Sequence, residues 1–237
     1  MLKNIFKIII IFIIGVVGGV FADQILWPYF IERPLFYEYR LEQAPVYITE
    51  QKNITVLENT ALQDAVEIVE KSVVGIRTIT SKGRIITGSG LVVTSDGLIV
   101  TLAELVPQNQ KFSFFVDSKA PDYQILKRDL KNNLALIKLE ENNLSTIGFA
   151  EFGSLRFGQR VFLVEAVLKK GDLNKVVDEG IIKTYDQDLI ETNISKDNNI
   201  SGSPLFNIKG ELVGLNIAEE NKVSAIPVNK IQDFIGF

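Results

Sequence analysis

The chain has 237 residues, long for one average domain and short for two. Its 25 Lys+Arg against 29 Asp+Glu leave a net charge of −4, which argues against a general affinity for nucleic acid. It has no Cys, hence no disulfide, thiol nucleophile or thiolate metal site, and no His, hence no imidazole base, imidazole ligand or His pH switch.

The N-terminus carries Lys3 and Lys7, then an uncharged apolar run from Ile8 to Ala22 that Asp23 ends. With Ile5 and Phe6 before it, and Ile25, Leu26 and Trp27 after it, the run reaches bilayer-spanning length. Trp27, Tyr29 and Phe30 would sit in the aromatic belt, and the two lysines would hold the N-terminus inside. The expectation is a single-pass anchor over residues 1–28 with the rest of the chain outside the cytoplasm. The rival is a signal sequence cut after Val20-Phe21-Ala22, which would release a secreted protein.

Residues 29–58, with Pro34 and Pro45, read as an extended connector in which Val46–Thr49 is a short strand. A helix is expected next, capped by Asn59 or Thr60, with Leu62, Ala65, Val66 and Val69 at helical spacing up to Lys71. From Ser72 the period changes to two. Apolar segments follow at Val73–Thr80, Arg84–Thr87, Gly90–Thr94, Leu98–Thr101, Lys111–Val116 and Leu134–Leu139. The second half supplies Val161–Val167, Val176–Thr184, Asp188–Thr192, Leu205–Ile208, Leu212–Ile217 and Val223–Ile226. Gly-rich turn signals separate them, and a last helix fits Val228–Phe234. Many short strands with few helices predict an all-β barrel or sandwich pair.

No cofactor and no metal is expected. Gly88-Ser89-Gly90 is too short for a phosphate loop and is expected to be a turn. Asn193, Ser195, Asp197 and Asn199 alternate as oxygen ligands would, without the spacing of a Ca²⁺ loop. Phe112, Phe114 and Phe115 are expected to form the core and surface of one strand.

Three segments carry a more specific signal. They are Gly88 to Val106, with Ser95-Asp96-Gly97 at its turn; Asn132-Asn133-Leu-Ala-Leu-Ile-Lys138; and Asn199-Ile200-Ser201-Gly202-Ser203-Pro204-Leu205-Phe206, running into Lys209-Gly210. Together with Ala65–Ile76, Gly153–Val164, Gly180-Ile-Ile and Ala225-Ile-Pro-Val-Asn229, in this order, the sequence resembles the HtrA/Deg group of trypsin-like serine proteases over about Ala65–Ile231. The resemblance implies a double six-stranded antiparallel β-barrel in residues 59–237, with barrels at about 73–140 and 153–226. The family's C-terminal peptide-binding (PDZ) domain is expected to be missing after Phe237.

The family's chemistry uses a Ser nucleophile, a His base and an orienting Asp. By resemblance Ser201 keeps the nucleophile position, Glu104 replaces the His and Asn133 replaces the Asp. In the oxyanion loop of Asn199, Ile200 and Ser201, Asn199 stands where the family has a glycine. Without its base such a site keeps only about 10³–10⁴ over water. The expected function is a catalytically inactive pseudoprotease that binds peptides or unfolded protein segments, since strand addition needs backbone groups and not a triad. The alternative is a residual endopeptidase in which Glu104, held by the Asn133 amide, serves Ser201 as base. Lys196 and Lys222 are further candidate bases. The sequence supports no particular homo-oligomer.

Overall fold

The computed structural model describes residues 2–32, 58–117, 119–169, 172–195, 200–219 and 222–236. The chain divides into two compact units, Met1–Thr55 and Val56–Phe237.

In the first unit, helix α1 (Leu2–Phe21) runs on in wider π-type turns over Ala22–Glu32. Lys3–Trp27, 25 residues, is long and apolar enough to cross a membrane, and none of that span is buried in protein. By length and composition such a helix fits a bilayer anchor or a signal sequence. The connector beyond Glu32, with the expected Val46–Thr49 strand, lies outside the described residues.

The second unit opens with helix α2 (Glu58–Val69), which starts ahead of both expected caps. It tightens into a 3₁₀ turn over Glu70–Ser72, where the Ser72 hydroxyl donates to the Val69 carbonyl at 2.6 Å. Among the described residues twelve strands follow. The first six are β1 (Val73–Ile79), β2 (Ile85–Val92), β3 (Leu98–Leu102), β4 (Lys111–Phe115), β5 (Tyr123–Asp129) and β6 (Leu134–Leu139). The second six are β7 (Arg160–Lys169), β8 (Asp172–Tyr185), β9 (Ile190–Thr192), β10 (Pro204–Asn207), β11 (Leu212–Glu219) and β12 (Lys222–Pro227). Helix α3 (Val228–Ile235) ends the fold, closed by Gly236 at φ 87°.

Each six forms one antiparallel sheet, β4-β1-β2-β3-β6-β5 and a closed barrel β10-β11-β12-β9-β8-β7. Counted within each half, both follow the cyclic order 1-2-3-6-5-4. The second half completes the circle, whereas the first leaves β4 and β5 unladdered. Side chains bridge that seam instead. The Tyr123 ring of β5 lies 4.9 Å from Phe112 and 5.1 Å from Phe114 of β4, and Phe114 is fully buried. Phe114 as core, with Phe112 and Phe115 half-buried beside it, agrees with the sequence expectation.

Period-two alternation explains how the halves adhere. On β7, Val161 and Leu163 fill the second barrel's own core, while Phe162 and Val164 face the other way, into the core shared with the first sheet, α2 and α3. Leu205 and Phe206 divide in the same manner on β10. Gly75 on β1 gives the β7–β8 ribbon room, since a Cβ there would stand 2.6 Å from Leu173 Cδ1. The sequence expectation of an all-β domain behind an apolar helix is met.

Two details differ from expectation. Gly88-Ser89-Gly90 lies inside β2 and is not a turn, because the glycines serve close approach: a Cβ on Gly88 would stand 2.5 Å from Leu105 Cδ1 and 2.7 Å from the Ser201 carbonyl. Strand β5 has no counterpart among the expected segments. It is a sheet edge with a register shift between Ile125 and Lys127, so its sequence does not alternate.

Candidate functional site

The site is built from three backbone turns. The β2–β3 hairpin ends in a 3₁₀ turn over Ala103–Leu105 that buries Ala103 and Leu105 and leaves Glu104 exposed. Its start is fixed by the Thr101 hydroxyl, which donates to the Ser89 carbonyl at 2.7 Å. The Thr78 hydroxyl donates to the Leu105 carbonyl.

The β5–β6 turn supplies Asn133. Asp129 shapes this turn as an acceptor for the Lys131 N–H (2.9 Å), the Asn132 N–H (3.1 Å) and Asn132 Nδ2 (2.6 Å). The bonds from Asn132 hold the Asp129 carboxyl below its ordinary range. Asn133 then takes the left-handed conformation at φ 53°, which Asn tolerates better than most residues. So placed, it grips the 3₁₀ turn three ways. Its carbonyl accepts the Ala103 N–H at 3.0 Å, its Oδ1 accepts the Glu104 N–H at 3.0 Å, and its Nδ2 donates to Glu104 Oε2 at 3.1 Å.

Ser201 sits in the turn that leads into β10. Ile200 is 1% exposed and anchors this turn in the barrel core, and Gly202 turns it at φ 76°. A Cβ on Gly202 would stand 2.2 Å from the Ser89 carbonyl, so no other residue fits. Asn216 of β11 fastens the turn: its carbonyl accepts the Gly202 N–H at 2.8 Å, its N–H donates to the Ser203 carbonyl at 2.8 Å, and its Nδ2 reaches Ser203 Oγ at 3.1 Å. Ser89 ties this turn to the first half by donating its N–H to the Ser201 carbonyl at 3.0 Å.

The structure thus joins Glu104 to Asn133 directly, and sets the Ser201 turn against β2 and Leu105 beside them. Among the described residues no hydrogen bond links the Ser201 hydroxyl to Glu104. Asn199 and Lys196 lie outside the described residues, and Lys222 is exposed on β12. Among the described residues no group of three or more acidic side chains gathers as a metal site would require. Ser89 and Asn216, on which the geometry of the turn depends, carry no role in the sequence reading. The paired glycines around Ser89 were the available signal.

Residues 88–215, the stretch holding all three turns, match the family model for a trypsin-like peptidase domain. The chain belongs to that family. It is similar to a probable periplasmic serine endoprotease, DegP-like, of Halomonas elongata, with 29% identity over 107 residues, 42% of this chain and 22% of the relative. It is also similar to a probable serine protease do-like of Buchnera aphidicola, with 30% identity over 109 residues, again 42% of this chain and 22% of the relative. A DegP-like protein of Pseudomonas fulva matches at 26% over 107 residues. The HtrA/Deg resemblance is borne out, and with it a trypsin-like hydrolase fold. The chain spans about a fifth of the length of the relatives it matches, 22%.

Proposed function

We propose that this trypsin-like domain is a membrane-anchored pseudoprotease that binds extended peptide or unfolded protein segments outside the cytoplasm. The observation that carries this reading is the reciprocal pair between Glu104 and Asn133. In the proposed assignment Ser201 keeps the nucleophile position, while Glu104 and Asn133 occupy those of the base and its orienting acid. A base must reach the hydroxyl it deprotonates. Here the carboxylate is exposed and bonded to Asn133, and the chain has no histidine to take its place. Peptide binding is supported by membership of a trypsin-like peptidase family, since adding a peptide strand beside such a site uses backbone groups and needs no triad. Placement of the domain outside the cytoplasm is supported by the lysines before the apolar helix and by relatives named as periplasmic.

One observation favours a second reading, a residual endopeptidase. Asn133 Nδ2 orients the Glu104 carboxylate as an acid orients an imidazole. A fluorophosphonate probe, which reports an activated serine without needing the right substrate, separates the two. With the full chain in detergent micelles, the pseudoprotease gives the same background labelling as Ser201→Ala. Labelling that disappears in Ser201→Ala, and weakens in Glu104→Gln, would establish the endopeptidase instead. A carbonate wash of membranes tests the anchor, because a cleaved product would leave the pellet.

A further inference from the structure

Strand β8 slips its register against β9 between Ile182 and Thr184. Lys183 therefore stands at a bulge, the local geometry that re-aims a side chain out of the ladder. Lys183 and Lys222, the first residue of β12, line one concavity of about 250 Å³ on the second barrel, together with Glu191, Asn193 and Ser224. This is smaller than the roughly 300–1,000 Å³ of a site for a drug-sized ligand, and it suits a single side chain or a chain end.

The polar groups around it are unevenly committed. The Thr192 hydroxyl donates to the Val223 carbonyl at 2.8 Å. Asn193 folds over Gly180, where a Cβ would stand 2.3 Å from its Oδ1, and that oxygen accepts the Ile181 N–H at 2.7 Å. Among the described residues its Nδ2 makes no hydrogen bond. Ser224 lines the concavity, and among the described residues its hydroxyl makes no hydrogen bond. Lys183 and Lys222 form no ion pair among the described residues. Among the described residues that line it, two ammoniums, an amide and a hydroxyl thus stand as unused donors against one carboxylate, that of Glu191.

A donor set with a net charge of +1 takes an anion. The Glu191 carboxylate on the neighbouring strand favours a singly charged group over a phosphate dianion. The walls also lead to the Ser201 turn. Ser195 is six residues before Ser201 in the chain, and β11, the partner of β12, carries the Asn216 that fastens the turn. We propose that this concavity is a carboxylate-binding subsite, through which the domain selects peptides bearing an acidic side chain or a free C-terminus. The proposal rests on the peptide-binding reading of the preceding subsection.

The test uses the full chain in detergent micelles and fluorescein-labelled octapeptides of alanine, valine and serine. One pair differs by a single Glu or Gln, and another by a free or amidated C-terminus, so the two arms separate the two sources of carboxylate. The carboxylate member of at least one pair is expected to bind about tenfold more tightly, as a charge-assisted hydrogen bond supplies. Lys183→Gln with Lys222→Gln removes that preference and leaves the uncharged peptide unchanged, while Glu191→Gln strengthens it. Equal binding within both pairs, or a preference that survives the double variant, overturns the subsite and leaves the peptide-binding reading standing.

If no peptide binds, the peptide-binding reading fails, and the subsite is decided separately by titrating N-acetylglycine and the uncharged N-acetylglycinamide against the Ser224 amide signal by NMR. A shift with the acid alone, lost in the double variant, upholds the subsite. The same shift with both compounds, or none with either, overturns it.

Discussion

Asn133 does two things that one substitution cannot separate. It holds the backbone at φ 53° and it bonds Glu104 with both ends of its amide. Two substitutions do separate them. Asn133→Gly removes the side chain and keeps the conformation at ease; Asn133→Ala removes the side chain and adds the left-handed penalty, about 1–2 kcal/mol. Urea unfolding of the two variants is therefore expected to place Ala about 1 kcal/mol below Gly. Equal stabilities would mean that the amide bonds, and not the turn, govern this corner.

The same residue shows how far the site could be read from sequence. The contact between Asn133 and Glu104 follows from two motifs and a family resemblance. The missing contact to Ser201 does not, since spacing along a chain carries no information on where an exposed carboxylate points. Ser89 was unreadable for a different reason. Its role is exercised mostly through backbone atoms, which every residue type shares.

At the scale of elements, strands whose two faces meet different environments were legible. β6 is found at its expected bounds, Leu134–Leu139, and β1, β3, β7 and β12 within a few residues of theirs. The miss, β5, is an edge strand whose Leu126 is 49% exposed, so no alternation of burial was there to be written in its sequence. The seam it borders makes its own prediction. Because aromatic packing and not a ladder joins β4 to β5, Phe114→Ala is expected to destabilise the domain by about 3–5 kcal/mol. Protection of the β5 amides from hydrogen exchange should fall with it. Unchanged β5 exchange would show that the seam does not depend on the ring.

The β7–β8 ribbon predicts a pH dependence. Lys175 on β8 donates to the Val73 carbonyl at the start of β1. Burial pulls its ammonium down to about 8, against the opposing pull of Asp117 and Glu70. In the unfolded chain the same group titrates near 10.4, so between the two values the unfolded state binds the proton more tightly. Folding stability should therefore rise as the pH increases from about 8 towards 10.5, by at most about 3 kcal/mol from this group. Below pH 8 both states are protonated and the contribution is flat. Melting curves of wild type against Lys175→Met from pH 7 to 10 check the sign. A difference between the two that does not change with pH would refute it.

For the molecule as a whole, the topology repeats while the sequence does not. Both sheets take the order 1-2-3-6-5-4, yet no internal repeat is visible in the chain, because the order is fixed by alternation and turn length, which many sequences satisfy. What the halves do with that order differs: the second closes by hydrogen bonds, and the first relies on its aromatic seam and on its neighbours.

Ser89 is where that dependence is concentrated. Its N–H goes to Ser201, its carbonyl is held by Thr101, and its hydroxyl accepts the Ala166 N–H at 2.9 Å, so one residue of the first half uses every polar group it has, two of them on the second. Neither half can come apart without stranding buried polar groups of the other. The expected thermal transition of the domain is therefore a single calorimetric peak whose van't Hoff and calorimetric enthalpies agree, as for one small protein. A Ser89→Ala variant loses only the hydroxyl bond from the Ala166 N–H and keeps both backbone bonds, so its peak should stay single and move to lower temperature. A split peak would mean that this one hydroxyl decides whether the halves melt together or in turn.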